Sequence, residues 1–274
     1  MRRGPGTIAL RLVTLVVYVF MLAPVALVIW LSFSKSQVLF FPPHGYSVQW
    51  YEQLRYQPQL TSGLFYSLWL AAAASLISVA VAGLAAIGLS RGVIRRRGPL
   101  EGLFLGPLMV PAIVTGIALY VYLYVIGTGL RSTFVPTRWA MLLAHVLLTL
   151  PFTFRMAYVG LSGIDTSLER ASLNLGRNRL HTIRLVTLPM MRSALIGAAI
   201  FGFIFSFADL EISLFLVGPG QTTLPVAMLD YASNQIDPTI AAISAVQIAI
   251  IAVLLLVANH FVDFGKALGI GRAR

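Results

Sequence analysis

The sequence has no cysteine and very few charged residues. Without cysteine, a disulfide, a thiolate metal site and a cysteine nucleophile are all excluded. Charged residues make up only 11% of the 274 residues, whereas soluble proteins carry about a quarter. Hydrophobic residues account for 58%. A chain of this composition has too little polar surface to cover a soluble globule, so it is predicted to be an integral membrane protein.

Lysine is scarce as well, and its placement excludes one common nucleotide site. A loop that cradles phosphates needs two glycines separated by four residues, then lysine, then serine or threonine. Lys35 has no such context, while Lys266 is followed by Ala267 and has His260 at the first glycine position. No His, Asp and Glu cluster has metal-ligand spacing, and no hydrolytic triad is recognisable. We therefore expect no enzyme active site, cofactor or metal in this chain.

Long apolar segments are abundant. A hydrocarbon core about 30 Å thick needs roughly 20 apolar helical residues. Six segments meet this requirement: 12–33, 64–89, 103–126, 139–161, 194–217 and 240–261. The sequence thus predicts an all-α membrane domain over 12–261, with short tails at 1–11 and 262–274.

The basic residues predict the orientation of this domain. Sixteen of the 20 Lys and Arg residues flank the spans on one side, and only four lie on the other. The positive-inside rule then places both termini in the cytoplasm. The net charge of +11 is explained by this bias, so we expect no nucleic-acid partner.

The cytoplasmic loop 162–193 is too apolar for a mobile linker. Its pattern predicts a short helix capped by Thr166 or Ser167, a left-handed turn at Gly176, and a second helix. Pro189 is expected to mark a break before the fifth span. Pattern alone also allows an ordinary amphipathic connector.

This loop resembles the signature of permease subunits of binding-protein-dependent ABC importers. That signature is an acidic residue, two small residues, three of any kind, glycine, nine of any kind, a branched residue, any residue, leucine and proline. With Gly176 as the glycine, the other positions fall on Ala171, Ser172, Val186, Leu188 and Pro189. The acidic position holds Arg170 instead, and Glu169 lies one residue earlier.

The resemblance implies a type I ABC importer permease fold in the bacterial inner membrane, with a coupling helix between spans four and five. It implies four partners besides lipid: a second permease, identical or paralogous, two cytoplasmic ATPase subunits that bind ATP, and a periplasmic or extracellular solute-binding protein. Within the loop, Leu173 and Leu175 are expected to supply buried contact to the ATPase, with Arg177 at the rim.

Other stretches are similar to the polyamine-importing branch, which favours spermidine or putrescine as the substrate. They include 145–155 and 206–225. Acids predicted on the outside, Asp230 and Asp237, suit a cation electrostatically. Ferric iron, thiamine, opines and phosphonates stay open, because similar permeases serve them. A secondary transporter is the rival from another class, but the sequence shows no repeated, interrupted helices.

Two acids lie in the fifth apolar segment, where an unpaired charge is costly. Asp209 shares a predicted helical face with Ser206 and Ser213, whereas Glu211 has large neighbours. We interpret the Asp209 stripe as part of the translocation path, with helix–helix contact as the alternative. For Glu211 the preference is reversed, and packing is favoured over a pathway role.

Overall fold

A computed structural model describes residues 5–38, 40–91, 97–129, 137–235 and 237–261. The predicted tail 262–274 and the first four residues of the predicted tail 1–11 lie outside these ranges. All regular elements within the described ranges are helices.

Twelve α-helices follow one another along the described chain. They are α1 (Pro5–Leu31), α2 (Gln49–Gln53), α3 (Pro58–Ser90), α4 (Arg97–Leu105), α5 (Ala112–Gly129), α6 (Arg138–Ser162), α7 (Thr166–Asn174), α8 (Arg179–Thr182), α9 (Leu188–Phe207), α10 (Glu211–Leu216), α11 (Leu224–Asn234) and α12 (Thr239–Phe261). Two 3-10 turns, Leu54–Tyr56 and Gly106–Met109, and one π-helical turn, Ile183–Thr187, complete the set.

Six stretches of the described chain are long and apolar enough to cross a membrane, which confirms the predicted number. They are Ala9–Leu31, Pro58–Ser90, Ala112–Gly129, Arg138–Ser162, Arg179–Phe207 and Thr239–Asn259. Each overlaps one predicted span. The first helix begins at Pro5, within the segment expected to be a tail.

The predicted third span, 103–126, is not one helix. Helix α4 ends at Leu105, a 3-10 turn follows, and α5 starts at Ala112. Pro107 and Pro111 lie in the interruption. Proline lacks the backbone N–H that a helix interior requires, so the α-helical ladder ends where these residues cluster.

The chain forms two compact units whose boundaries fall within α3, α11 and α12. The first unit contains the described residues up to 61 together with 228–250. In this unit Trp50 is buried, and its indole N–H donates to the carbonyl of Ser34 at 2.6 Å. The Tyr231 hydroxyl also donates to the carboxylate of Asp237 at 2.8 Å, which ties α11 to the start of α12.

The second unit, formed by the described residues of 62–227 and 251–261, is built around α6 and α9. Small residues bring these two helices into close approach. A β-carbon at Gly160 would overlap the side chain of Ala194, and one at Gly202 would lie 3.0 Å from Thr153. Membrane helices lack a hydrophobic driving force for association, so packing at such small residues holds them together.

Candidate functional site

Helix α7 is the first helix of the loop 162–193 and is capped by Asp165. The carboxylate of Asp165 accepts a hydrogen bond from the backbone N–H of Ser167 at 2.9 Å. This bond stabilises the anion and lowers the pKa of Asp165. The prediction that Thr166 or Ser167 caps the helix was wrong, because the cap lies one or two residues earlier, at Asp165. Aspartate caps helices as well as serine or threonine does.

Gly176 ends this helical segment in the left-handed conformation, as predicted. Its φ is +80°, and the N–H of Arg177 donates to the carbonyl of Ser172 at 3.3 Å across the turn. A β-carbon at Gly176 would meet no atom within 4 Å. The requirement for glycine is thus set by backbone conformation and not by space.

The second half of the loop runs without a break into the fifth span. Asn178 caps α8 by accepting from the N–H of His181 at 2.8 Å, and the π-helical turn Ile183–Thr187 leads directly into α9. Pro189 lies in the first turn of α9, where a missing N–H is tolerated. The prediction of a break at Pro189 was therefore wrong. The helix continues through this region, with the wider π-helical turn just before Pro189.

Glu169 is bound within the chain. Its carboxylate lies 2.8 Å from Nε of Arg91, the residue after α3, and it accepts from the Thr187 hydroxyl at 2.8 Å. The two charged side chains are 17% and 13% exposed. Glu169 thus joins three segments: the end of α3, helix α7 and the π-helical turn.

The remaining loop residues present an apolar and cationic surface. Arg170, Leu173, Leu175 and Gly176 are exposed, with Leu175 84% exposed. Ala171, Arg177, Leu188 and Pro189 are also exposed, whereas Ser172 and Val186 are half-buried. Arg170 and Leu173 line a cavity of about 370 Å³ together with Arg91 and Glu169. Because Glu169 is engaged internally, the charge offered to a partner by this face is positive.

A second polar cluster lies between α6, α9 and α10. His145 is fully buried, and its Nδ1 lies 2.7 Å from the hydroxyl of Ser206 while Nε2 lies 3.1 Å from that of Ser213. Asp209 accepts from both the backbone N–H and the hydroxyl of Ser213 at 3.0 Å. The structure therefore brings Ser206, Asp209 and Ser213 together around His145.

The hydrogen bonds of Asp209 explain why the predicted fifth span, 194–217, is not continuous. Helix α9 ends at Phe207 and α10 begins at Glu211. An aspartate side chain that accepts from a nearby backbone N–H offers the chain an alternative to the helical ladder. The prediction of one helix through Val217 was wrong for this reason, and the helical spacing used to separate Asp209 from Glu211 does not apply.

Glu211 has a different environment. It is exposed and lines a largely apolar cavity of about 520 Å³. Within the described residues, no hydrogen bond or ion pair reaches its carboxylate. Three or more His, Asp or Glu residues with metal-binding geometry do not occur in the part of the chain that is described.

Comparison with known proteins identifies the family. A model of the family described as binding-protein-dependent transport system inner membrane component matches residues 78–265, more than half of the chain. The chain belongs to this family. Its members are transport components and not enzymes, so this chain is a multi-pass transport component of the inner membrane.

Two relatives are similar to this chain along most of its length. The spermidine/putrescine transport system permease protein PotC of Haemophilus influenzae is 26% identical over 244 residues, which cover 89% of this chain and 92% of that protein. The putrescine transport system permease protein PotI of Escherichia coli K12 is 28% identical over 263 residues, covering 93% and 90%.

Solved structures have the same fold. A chain of a bacterial ABC transporter involved in the import of the acidic polysaccharide alginate matches with a TM-score of 0.70 at 14% identity, covering 95% of this chain and 99% of that one. The inward-facing MetNI methionine ABC transporter matches with a TM-score of 0.59 at 17% identity, covering 76% and 97%. The expected ABC importer permease fold is thus confirmed.

The sequence did not predict the two residues that bind Glu169, namely Arg91 and Thr187. Arg91 was counted only as one of the cytoplasmic basic residues, and Thr187 was treated as a position of any kind. The one available signal was the position of Arg91 directly after a long apolar span. Its partnership with Glu169, 78 residues away, is a tertiary contact that no local pattern encodes.

Proposed function

We propose that this chain is one of two permeases in a polyamine ABC importer, and that its loop 162–193 couples the channel to a separate ATPase. The proposed assembly contains a second permease, two cytoplasmic ATPase subunits with bound ATP, and an external solute-binding protein. Both termini lie in the cytoplasm. The relatives named for spermidine and putrescine transport support the substrate.

The observation that carries the coupling role is the construction of the loop. Two capped helices flank a left-handed glycine, and Glu169 anchors them to the end of α3 through Arg91. The outward side keeps exposed leucines and arginines. Exposed apolar side chains on an anchored, ordered loop are typical of a protein contact, and two leucines buried there contribute about 1.5–3 kcal/mol each.

The test is co-expression of this chain with candidate permease, ATPase and solute-binding subunits from the same organism. We expect the ATPase to co-purify with this chain and the cells to take up labelled putrescine or spermidine. A reporter of the kind that works only in the cytoplasm should be active when it is fused after Arg274. Failure of the ATPase to co-purify would contradict the coupling role, whereas uptake of other solutes alone would contradict only the substrate.

The sequence-based assignment of Ser206, Asp209 and Ser213 to the translocation path is part of this proposal, and so is Glu211, for which the sequence alone favoured packing. Their geometry divides them into two groups. Asp209 has a side chain only 7% exposed and already bound to Ser213, while Glu211 opens into a cavity. Of the two acids, Glu211 is the one with a carboxylate free to meet a solute.

A further inference from the structure

The cavity beside Glu211 combines one acid with apolar walls. Its lining comes from the interruption before α5, from α5 itself, from the middle of α6, and from the end of α9 and the start of α10. Two polar side chains, those of Glu211 and Thr115, are among the lining residues, and none of the lining residues is Lys, Arg or His. The cavity volume of about 520 Å³ lies in the range typical of small-molecule sites.

An isolated carboxylate in such a place is energetically unfavourable. Acids in or beside a membrane span normally face a partner or water, because an unpartnered charge costs about 2.5–3.5 kcal/mol at the centre of a membrane helix. Glu211 lies immediately after the helical break that closes the fifth span, and no cation of the described chain reaches it. Within the described residues Glu211 therefore lacks a counter-charge, and a bound cation can supply one.

Two aromatic side chains make the same cavity suitable for an organic cation. The rings of Phe152 and Phe205 stack with centroids 3.9 Å apart and planes 13° from parallel, and both residues line the cavity. Phe205 is 40% exposed. Aromatic faces attract ammonium groups and also pack against methylene chains.

A backbone carbonyl adds a further acceptor. Pro151 has no N–H, so the carbonyl of Leu147, one turn earlier in α6, receives no helical hydrogen bond from position 151. Both residues line the cavity. An ammonium group carries three donors and no acceptor, so a carboxylate and a spare carbonyl are complementary to it.

We propose that this cavity binds one ammonium end of an alkyl diamine or polyamine during its passage, with Glu211 as the counter-ion. The rings of Phe152 and Phe205 pack against the methylene segment. The assignment rests on the proposed function as a polyamine permease and names the residues that contact its substrate. A basic residue of the second permease is the alternative partner for Glu211, and the experiment separates the two.

The experiment uses the complete importer in cells, with labelled putrescine and spermidine as probes. In Glu211→Gln we expect the concentration for half-maximal uptake to rise about tenfold or more, because the charged contact is lost while the shape is kept. Glu211→Asp should restore part of the loss. Phe205→Leu should raise the concentration of spermidine needed for half-maximal uptake. The amount of the subunit in the membrane should stay the same. Glu52→Gln, an exposed acid in α2, is the matched control and should behave as wild type.

Each outcome has a distinct meaning. Equal half-maximal concentrations in wild type and Glu211→Gln would overturn this assignment and leave the proposed function intact. Loss of co-purification with the second permease in Glu211→Gln would also overturn it and place Glu211 in the subunit interface. A wild-type importer that takes up neither putrescine nor spermidine would overturn both the polyamine function and this site.

Discussion

The guanidinium of Arg91 and the carboxylate of Glu169 form an ion pair of 2.8 Å that joins the end of the second span to the loop 162–193. Both groups are largely shielded from water, so the pair is screened less than a surface salt bridge. Thr187 completes the contact from the π-helical turn. This pair is therefore the connection through which α3, α7 and the start of α9 hold one geometry.

We expect Glu169→Gln to impair transport without removing the subunit from the membrane. The substitution leaves Arg91 charged and unpaired, which costs roughly 1–3 kcal/mol at a partly buried site. Loop 162–193 should then become more sensitive to added protease, and uptake should fall several-fold. The Arg91→Gln and Glu169→Gln double variant should lose less than the sum of the single losses. Additive losses would show that the pair is not a unit.

Charge reversal at Arg170 should weaken recruitment of the ATPase. Arg170 is exposed and lines the cavity next to Leu173, while the nearby acid is occupied by Arg91. We therefore expect Arg170→Glu to lower ATPase co-purification several-fold, and high salt to lower it in wild type. Arg192→Glu is the control, because Arg192 is exposed but does not line this cavity. If both reversals had the same effect, a specific contact at Arg170 would be contradicted.

Substitutions at Gly176 should rank by their tolerance of positive φ. A β-carbon meets no neighbour there, so the cost is conformational, about 1 kcal/mol for alanine and more for a β-branched side chain. Gly176→Asn should be the mildest, Gly176→Ala intermediate and Gly176→Val the most severe in ATPase co-purification and uptake. Normal uptake by Gly176→Val would remove the turn from the coupling mechanism.

Replacement of His145 should destabilise the second unit. His145→Leu leaves the hydroxyl of Ser206 without its imidazole partner in a buried site, at a cost of about 1–2 kcal/mol. We expect a lower midpoint of thermal unfolding for the solubilised subunit. His44→Leu, at an exposed histidine between α1 and α2, should leave the midpoint unchanged. An unchanged midpoint in His145→Leu would show that these hydrogen bonds contribute little.

Patterns within short stretches of sequence predicted the features that depend on local chemistry. Apolar runs of sufficient length predicted the six spans, and the glycine after α7 predicted its left-handed turn. The break between α9 and α10 was missed because apolar residues continue through it. The side chain of Asp209 interrupts the helix there, and its effect depends on a hydrogen bond and not on hydropathy.

The candidate sites were harder to predict because their partners are distant in sequence. The acidic position of the loop signature holds Arg170, and Glu169 was noted one residue earlier, but the ion-pair partner of Glu169, Arg91, comes from another span. The preference for Asp209 over Glu211 rested on an ideal helix that the chain does not form. Once the helix breaks, the two carboxylates have different surroundings, one within a hydrogen-bonded cluster and the other in an open cavity.

The unbroken helical path from Arg179 to Phe207 has a mechanical consequence. At 1.5 Å per residue its 29 residues extend over about 43 Å, which exceeds the hydrocarbon core by roughly 13 Å. If the excess lies at the Arg179 end, it forms the short arm of a lever whose long arm carries Ser206. A tilt of about 5° centred near the π-helical turn would displace Ser206 by about 3 Å, enough to exchange one set of hydrogen bonds around His145 for another.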